Sequence, residues 1–191
     1  MAAPAPAGAR ITVERYFRLV DEGVLRPDDH VELLEGVVVS MSPQDPPHAG
    51  TVSKVAHLMW RIAGDRACVR VQLPFLAGGD SVPEPDVAVV PGRDDDYTTA
   101  HPTTALVVVE VADSSVAQDR LTKAAIYARA GVPEYLLVNV RDDCVEVRRS
   151  PDPITQAFRD VRVAHRGEAL ELVAFPGVGV RVDELLPPPR A

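Results

Sequence analysis

This chain of 191 residues predicts a mixed α/β fold, a sheet flanked by helices. Three observations carry that expectation. Two apolar runs, "ALVVVEV" and "EYLLVNV", bracket the clearest helical stretch, "DSSVAQDRLTKAAIYARAGVP". That order is the signature of a βαβ crossover with a buried parallel pair. Shorter apolar runs with tight turns lie on either side, as antiparallel additions do. Hydrophobic residues make up 46% and charged residues 25%, a balance that suits one core in a chain of this size.

The elements follow in order. Residues 1–10, rich in Ala and Pro, read as a flexible tail. Residues 11–186 read as a single domain, and residues 187–191 as a second tail begun by three prolines. Val13, Tyr16, Phe17 and Val20 have helical spacing, with Thr12 as N-cap and Gly23 as the stop. "HVELLEGVVVSMSP" reads as an N-terminal hairpin turning at Glu35-Gly36. "QDPPHAG" reads as a loop leading into a second helix, whose face is Val52, Val55, Leu58, Met59 and Ile62 and whose end is Gly64. "CVRVQLPF" alternates and predicts a strand with one wet face; "DVAVV" predicts a short strand. "RDDDYTTAHPTT" predicts an exposed loop. Ser115 and Gln118 match a capping box at the start of the third helix, and Gly131 with Pro133 ends it. "CVEVRRS" pairs with "EYLLVNV" across Arg141-Asp142-Asp143, and "AFRDVRVA", "ALELVAF" and "GVGVRV" give weaker C-terminal strand signals. No repeat or internal linker divides the chain.

Charge and cysteines narrow the function. A formal net charge of -8 argues against gripping nucleic acid over the whole surface, though a local cleft stays open. Cys68 and Cys144 stand far apart without a C-x-x-C, which excludes a zinc ribbon and points to reduced, buried thiols. No apolar run has membrane-spanning length, and the N-terminus lacks the pattern of a secretion signal. The expectation is a cytoplasmic protein with no membrane partner.

Glu110 is the residue that needs a reason. It interrupts a valine strand, and a buried carboxylate is costly unless paired or bound to a cation. Asp86 starts the preceding strand. Were the two strands neighbours, both carboxylates would meet, and two close carboxylates call for a cation such as Mg²⁺ or Mn²⁺. Lys123 lies on the following helix, sharing a face with Asp119 and Tyr127. Each has a plainer reading: a strand-start hydrogen bond for Asp86, a core arginine pair for Glu110, a solvated helix position for Lys123. The ordered set Asp, Glu, Lys favours a site.

The stretches "VPEPDVAVV", "LVVVEVADSS" and "RLTKAAIYARAGVPEYLLVNV", with "HVELLEGVVVSMSP" upstream, resemble the Uma2 family, also called DUF820. That family is grouped with the PD-(D/E)xK, restriction-endonuclease-like superfamily. The resemblance runs from Val13 to Arg148, with an echo in "FPGVGVRVDELL". It implies a restriction-endonuclease-like sheet and a metal-dependent DNA endonuclease. Pro85-Asp86 would be the "PD" and Glu110 the second acid. The superfamily lysine would stand at Ala112, so the resemblance points instead to Lys123. Asp86, Glu110 and the Val111 carbonyl would hold Mg²⁺ or Mn²⁺. Lys123 would position or deprotonate water, or neutralise the phosphate. His48 would be a base, an acid or a cleft hydrogen bonder, while Glu32, Glu35 and Tyr127 are further cleft candidates. The remaining histidines read as structural or exposed. DNA is the implied partner, and a homodimer suits a reaction that needs two cuts. Two alternatives stand beside this: a nuclease-like fold that binds nucleic acid or a protein partner without cutting, and a hydrolase of smaller phosphate substrates.

Overall fold

The computed structural model describes residues 10–41, 43–113 and 115–189. Of the expected tails, residues 1–9 and 190–191 lie outside that description. Helix α1 (Val13–Asp21) opens as expected, with the Thr12 side chain accepting from Arg15 N–H. Strands β1 (Val31–Leu34) and β2 (Val37–Ser40) form the N-terminal hairpin. Its turn residues Glu35 and Gly36 have φ of 49° and 78°, the left-handed pair that a two-residue hairpin loop needs. A Cβ at Gly36 would also come within 2.7 Å of the Arg10 Cβ, so glycine is required twice over.

Helix α2 (Pro46–Ala63) begins earlier than the sequence suggests. "QDPPHAG" is not a loop throughout. Asp45 caps the helix by accepting from His48 N–H, and prolines cost nothing in a first turn whose N–H groups lack intrahelical partners. His48 therefore sits rigidly in the first turn.

The sheet has six strands: β3 (Cys68–Arg70), β4 (Val87–Val90), β5 (Val107–Ala112), β6 (Glu134–Asn139), β7 (Cys144–Asp152) and β8 (Ala157–His165), in that spatial order. β5 and β6 are the parallel pair; every other pairing is antiparallel. β3 is shorter than "CVRVQLPF" implied. At Gln72 the backbone turns to φ 51°, and its N–H bonds to the Pro85 and Asp86 carbonyls instead of continuing the ladder.

The crossover between β5 and β6 is helical but not uniform. It runs as α3 (Val116–Gln118), a π-helical segment (Asp119–Lys123) and α4 (Ala124–Arg129). Within it the Ala124 N–H reaches back to the Asp119 carbonyl, one residue further than in an α-helix. The expected Ser115–Gln118 capping box does not form. The Ser115 hydroxyl donates instead to the Asp119 carboxylate at 2.5 Å.

Alternation along β5 divides the core. Val107, Val109 and Val111 pack toward α2 and the C-terminal segment. Val108 and Ala112 pack toward α4 with Tyr127, Tyr135 and Leu137. Glu110 belongs to this second face by its place in the alternation. Full burial of a valine contributes roughly 1.5–3 kcal/mol, so the valines of β5 hold Glu110 rigidly where a lone carboxylate would not choose to be. β9 (Ala169–Glu171), β10 (Gly179–Arg181) and α5 (Val182–Leu185) complete the chain, with Leu185 and Leu186 in the α2-side core. Both cysteines are free and buried. Among the described residues no helix is long and apolar enough to cross a membrane.

Candidate active site

β4 and β5 are antiparallel neighbours with Val87 opposite Val109. One step further along that register Asp86 stands level with Glu110. The two acids are tied reciprocally. Asp86 N–H donates to Glu110 Oε2 at 3.3 Å, and Val111 N–H donates to Asp86 Oδ2 at 2.8 Å. Gln72 Nε2 donates to Asp86 Oδ1 at 3.2 Å. Both carboxylates line one cavity of about 780 Å³.

Lys123 is not a solvated helix residue. Its ammonium lies 3.1 Å from Glu110 Oε1, 3.3 Å from Glu32 Oε2 and 3.9 Å from Asp119 Oδ1, and the side chain is 9% exposed. Burial alone would lower its pKa, but Glu110, Glu32 and Asp119 outweigh that and hold it above the ordinary lysine value. Tyr127, one turn along, donates its hydroxyl to Glu110 Oε1 at 2.6 Å from beneath the cavity. Glu110 itself has a pKa raised by burial to about 8, with Lys123 pulling it down. The Asp119 carboxyl is also raised by burial against the opposing pull of Lys123.

His48 reaches in from the first turn of α2, with Nε2 3.3 Å from Asp86 Oδ2. Its hydrogen bond to Asp86 raises its pKa despite partial burial. Its Nδ1 is buried and has no hydrogen-bond partner among the described residues. Val111 lines the cavity too; because its N–H leaves the strand toward Asp86, its carbonyl leaves on the same side. Glu32 completes the set, accepting from Glu84 N–H at 3.2 Å.

Among the described residues, no group of three His, Cys, Asp or Glu side chains forms a metal cage. The donor set nevertheless suits Mg²⁺ or Mn²⁺. Mg²⁺ is commonly held by one or two carboxylates and keeps several waters. The cavity lining carries seven acids, Glu32, Asp45, Glu84, Asp86, Glu110, Asp113 and Asp119, against the single lysine Lys123. Burial, and after it the neighbouring Glu32, raises the Glu84 pKa as well.

The model of the family Uma2, described as "Putative restriction endonuclease", matches residues 13–183. The chain belongs to the Uma2 family. The fold is similar to the crystal structure of a "putative nuclease belonging to DUF820" from Anabaena variabilis ATCC 29413. The two superpose with a TM-score of 0.72 over 92% of this chain and 97% of that one, at 17% sequence identity. At that identity the likeness is one of fold. No curated protein matches the chain.

In this Uma2 member the structure brings together Asp86, Glu110, Lys123, His48, Val111 and Glu32, with Tyr127 directly below. Glu35 is the exception. It is held at the hairpin turn, its N–H bonded to Ser81 Oγ at 2.9 Å, and it is not among the residues lining the cavity. Residues that line the site without having been singled out from the sequence include Gln72, Glu84 and His30. Alternation in "CVRVQ" could have found Gln72, since it continues the face of Cys68 and Arg70. Asp119 was visible only as a partner of Lys123, and its bond from Ser115 gives it a fixed place. Five other basic side chains stand outside the cavity lining. Lys54 donates to the Asp183 and Leu186 carbonyls, Arg61 pairs with Glu184, Arg120 with Glu146 and Arg129 with Asp80, while Arg70 lies over the Tyr97 ring.

Proposed function

We propose that this Uma2 protein is a metal-dependent DNA endonuclease that hydrolyses phosphodiester bonds. The observation that carries the reading is the convergence of Asp86 and Glu110 from adjacent strands, with Glu110 held by one buried lysine, within an acidic cleft. A phosphodiester would be repelled by this acidic lining unless a cation intervened. Asp86, Glu110 and the Val111 carbonyl would hold Mg²⁺ or Mn²⁺. When bound, the ion supplies Lewis acidity and makes a water more acidic.

The protein's own groups do the rest. Lys123, fixed by three carboxylates, is a pre-organised positive charge beside the place where phosphate charge develops. Tyr127 and Lys123 together fix the Glu110 carboxylate so that its orientation costs nothing during the reaction. Gln72 and the Val111 N–H do the same for Asp86. His48 lines the same cavity as Asp86 and offers a nitrogen able to give or accept a proton.

The test is cleavage of supercoiled plasmid by purified protein with Mg²⁺ or Mn²⁺. Nicked or linear product is expected with wild type and metal, and not with EDTA, Asp86→Ala or Glu110→Ala. Cleavage equal in wild type and both variants overturns the reading. The acidity of the cleft favours a second reading, a non-cleaving fold that engages a basic protein partner; intact plasmid under every metal condition would select it.

A further inference from the structure

We infer that β8 is a dimerisation edge, pairing antiparallel with β8 of a second copy of this chain across a two-fold axis at Val161. The inference does not depend on the nuclease reading. β8 is the last strand of the sheet, and among the described residues no strand covers its outer side. It is nine residues long, whereas strands typically have five or six. Arg159, Asp160, Val161, Arg162 and Val163 are exposed in succession, so both faces of the strand are open over this stretch. Val161 is 50% and Val163 49% exposed. A long open edge carrying exposed valines is a template for strand addition unless something guards it.

The charges on β8 are what identify the occupant. Charges guard an edge when they repel the incoming strand. In an antiparallel pair of identical strands, opposite residues turn their backbone groups the same way, both toward the partner or both away, so the two-fold axis passes at a residue and not between residues. An axis at Asp160 sets Asp160 against its own copy, and one at Arg162 sets Arg162 against its own copy. Both registers are repulsive. An axis at Val161 sets Asp160 opposite Arg162 twice, and Val161 opposite Val161. Among the described residues neither Asp160 nor Arg162 has a side-chain ion pair or hydrogen bond within its own chain. Arg159, by contrast, is already engaged by Asp152 at 3.0 Å. The two charges on either side of Val161 are therefore free to select this register.

Two measurements on the full chain test this. The first is the molar mass in solution of wild type, Asp160→Arg and the double variant Asp160→Arg with Arg162→Asp. Wild type is expected as a dimer, Asp160→Arg as predominantly monomer, and the charge-exchanged double variant as a dimer again. The second is mild oxidation of Val161→Cys and Val163→Cys. A covalent dimer is expected at 161, where the two positions face each other. None is expected at 163, whose copies are four residues apart along the strands and beyond disulfide reach. Cys68 and Cys144 are buried and provide the unmodified background. A monomeric wild type, a dimer indifferent to Asp160→Arg, or cross-linking at 163 equal to that at 161 overturns the inference.

Discussion

Glu110 carries the most consequence of any single residue. Its carboxyl is raised by burial to about 8, from an ordinary 4.5, with Lys123 opposing the rise. Cation binding needs the carboxylate, so binding must expel a proton at pH below about 8. Apparent Mn²⁺ affinity is expected to fall about tenfold per pH unit on the acid side of that value, as one released proton requires. Calorimetry in buffers of differing ionisation enthalpy reads both effects; affinity independent of pH would contradict the assignment. In the absence of metal the same raised pKa acts on folding. Its stabilising contribution is fully present below about 4.5 and lost as pH rises through about 8, so Glu110→Gln should flatten the pH dependence of urea stability in that window. Lys123 is the counterpart. Lys123→Met leaves Glu110, Glu32 and Asp119 without their shared cation and is expected to cost about 3–5 kcal/mol in urea unfolding. A loss under about 1 kcal/mol, the value of exposed pairs, would mean that the lysine is not the keystone of the cluster.

At the scale of elements, the π-helical segment Asp119–Lys123 is what sets the site apart from a plain crossover. An extra residue in a turn rotates everything before it relative to everything after it. Asp119 and Lys123 lie within the segment and Tyr127 one turn beyond it, and all three reach the Glu110 cluster. Deleting Leu121, which is 70% exposed and contributes little to the core, should restore an α-helix while shifting Asp119 and Ser115 relative to Lys123. Helical circular dichroism is expected to persist, and cleavage to drop by about a hundredfold, the loss that small misplacements cause. Unchanged cleavage would show that the segment is incidental. Helix α2 makes a smaller point of the same kind. Asp45→Ala removes the cap that fixes His48 and should cost about 1 kcal/mol in a thermal or urea melt.

Across the whole molecule, the sheet was largely legible because buried strands and tight turns announce themselves locally. The runs "ALVVVEV" and "EYLLVNV" become β5 and β6, and the left-handed Glu35-Gly36 turn becomes the hairpin. What escaped were places where one contact overrides local preference. The π segment follows no hydrophobic period. Ser115 looked like a cap but bonds to Asp119, and Asp45 starts a helix through two prolines that suggested a loop. The site was legible as Asp86, Glu110 and Lys123 because carboxylates in apolar strands demand a reason. Glu84 was not, since only the fold places it beside Glu32, while Gln72 showed only as one residue of an alternating run. The central claim is that Asp86 and Glu110 share one cation. Crystals of the protein grown with Mn²⁺ test it through anomalous scattering. One peak within about 2.5 Å of oxygens from both carboxylates is predicted. A fully occupied peak elsewhere, with none between Asp86 and Glu110, would contradict it.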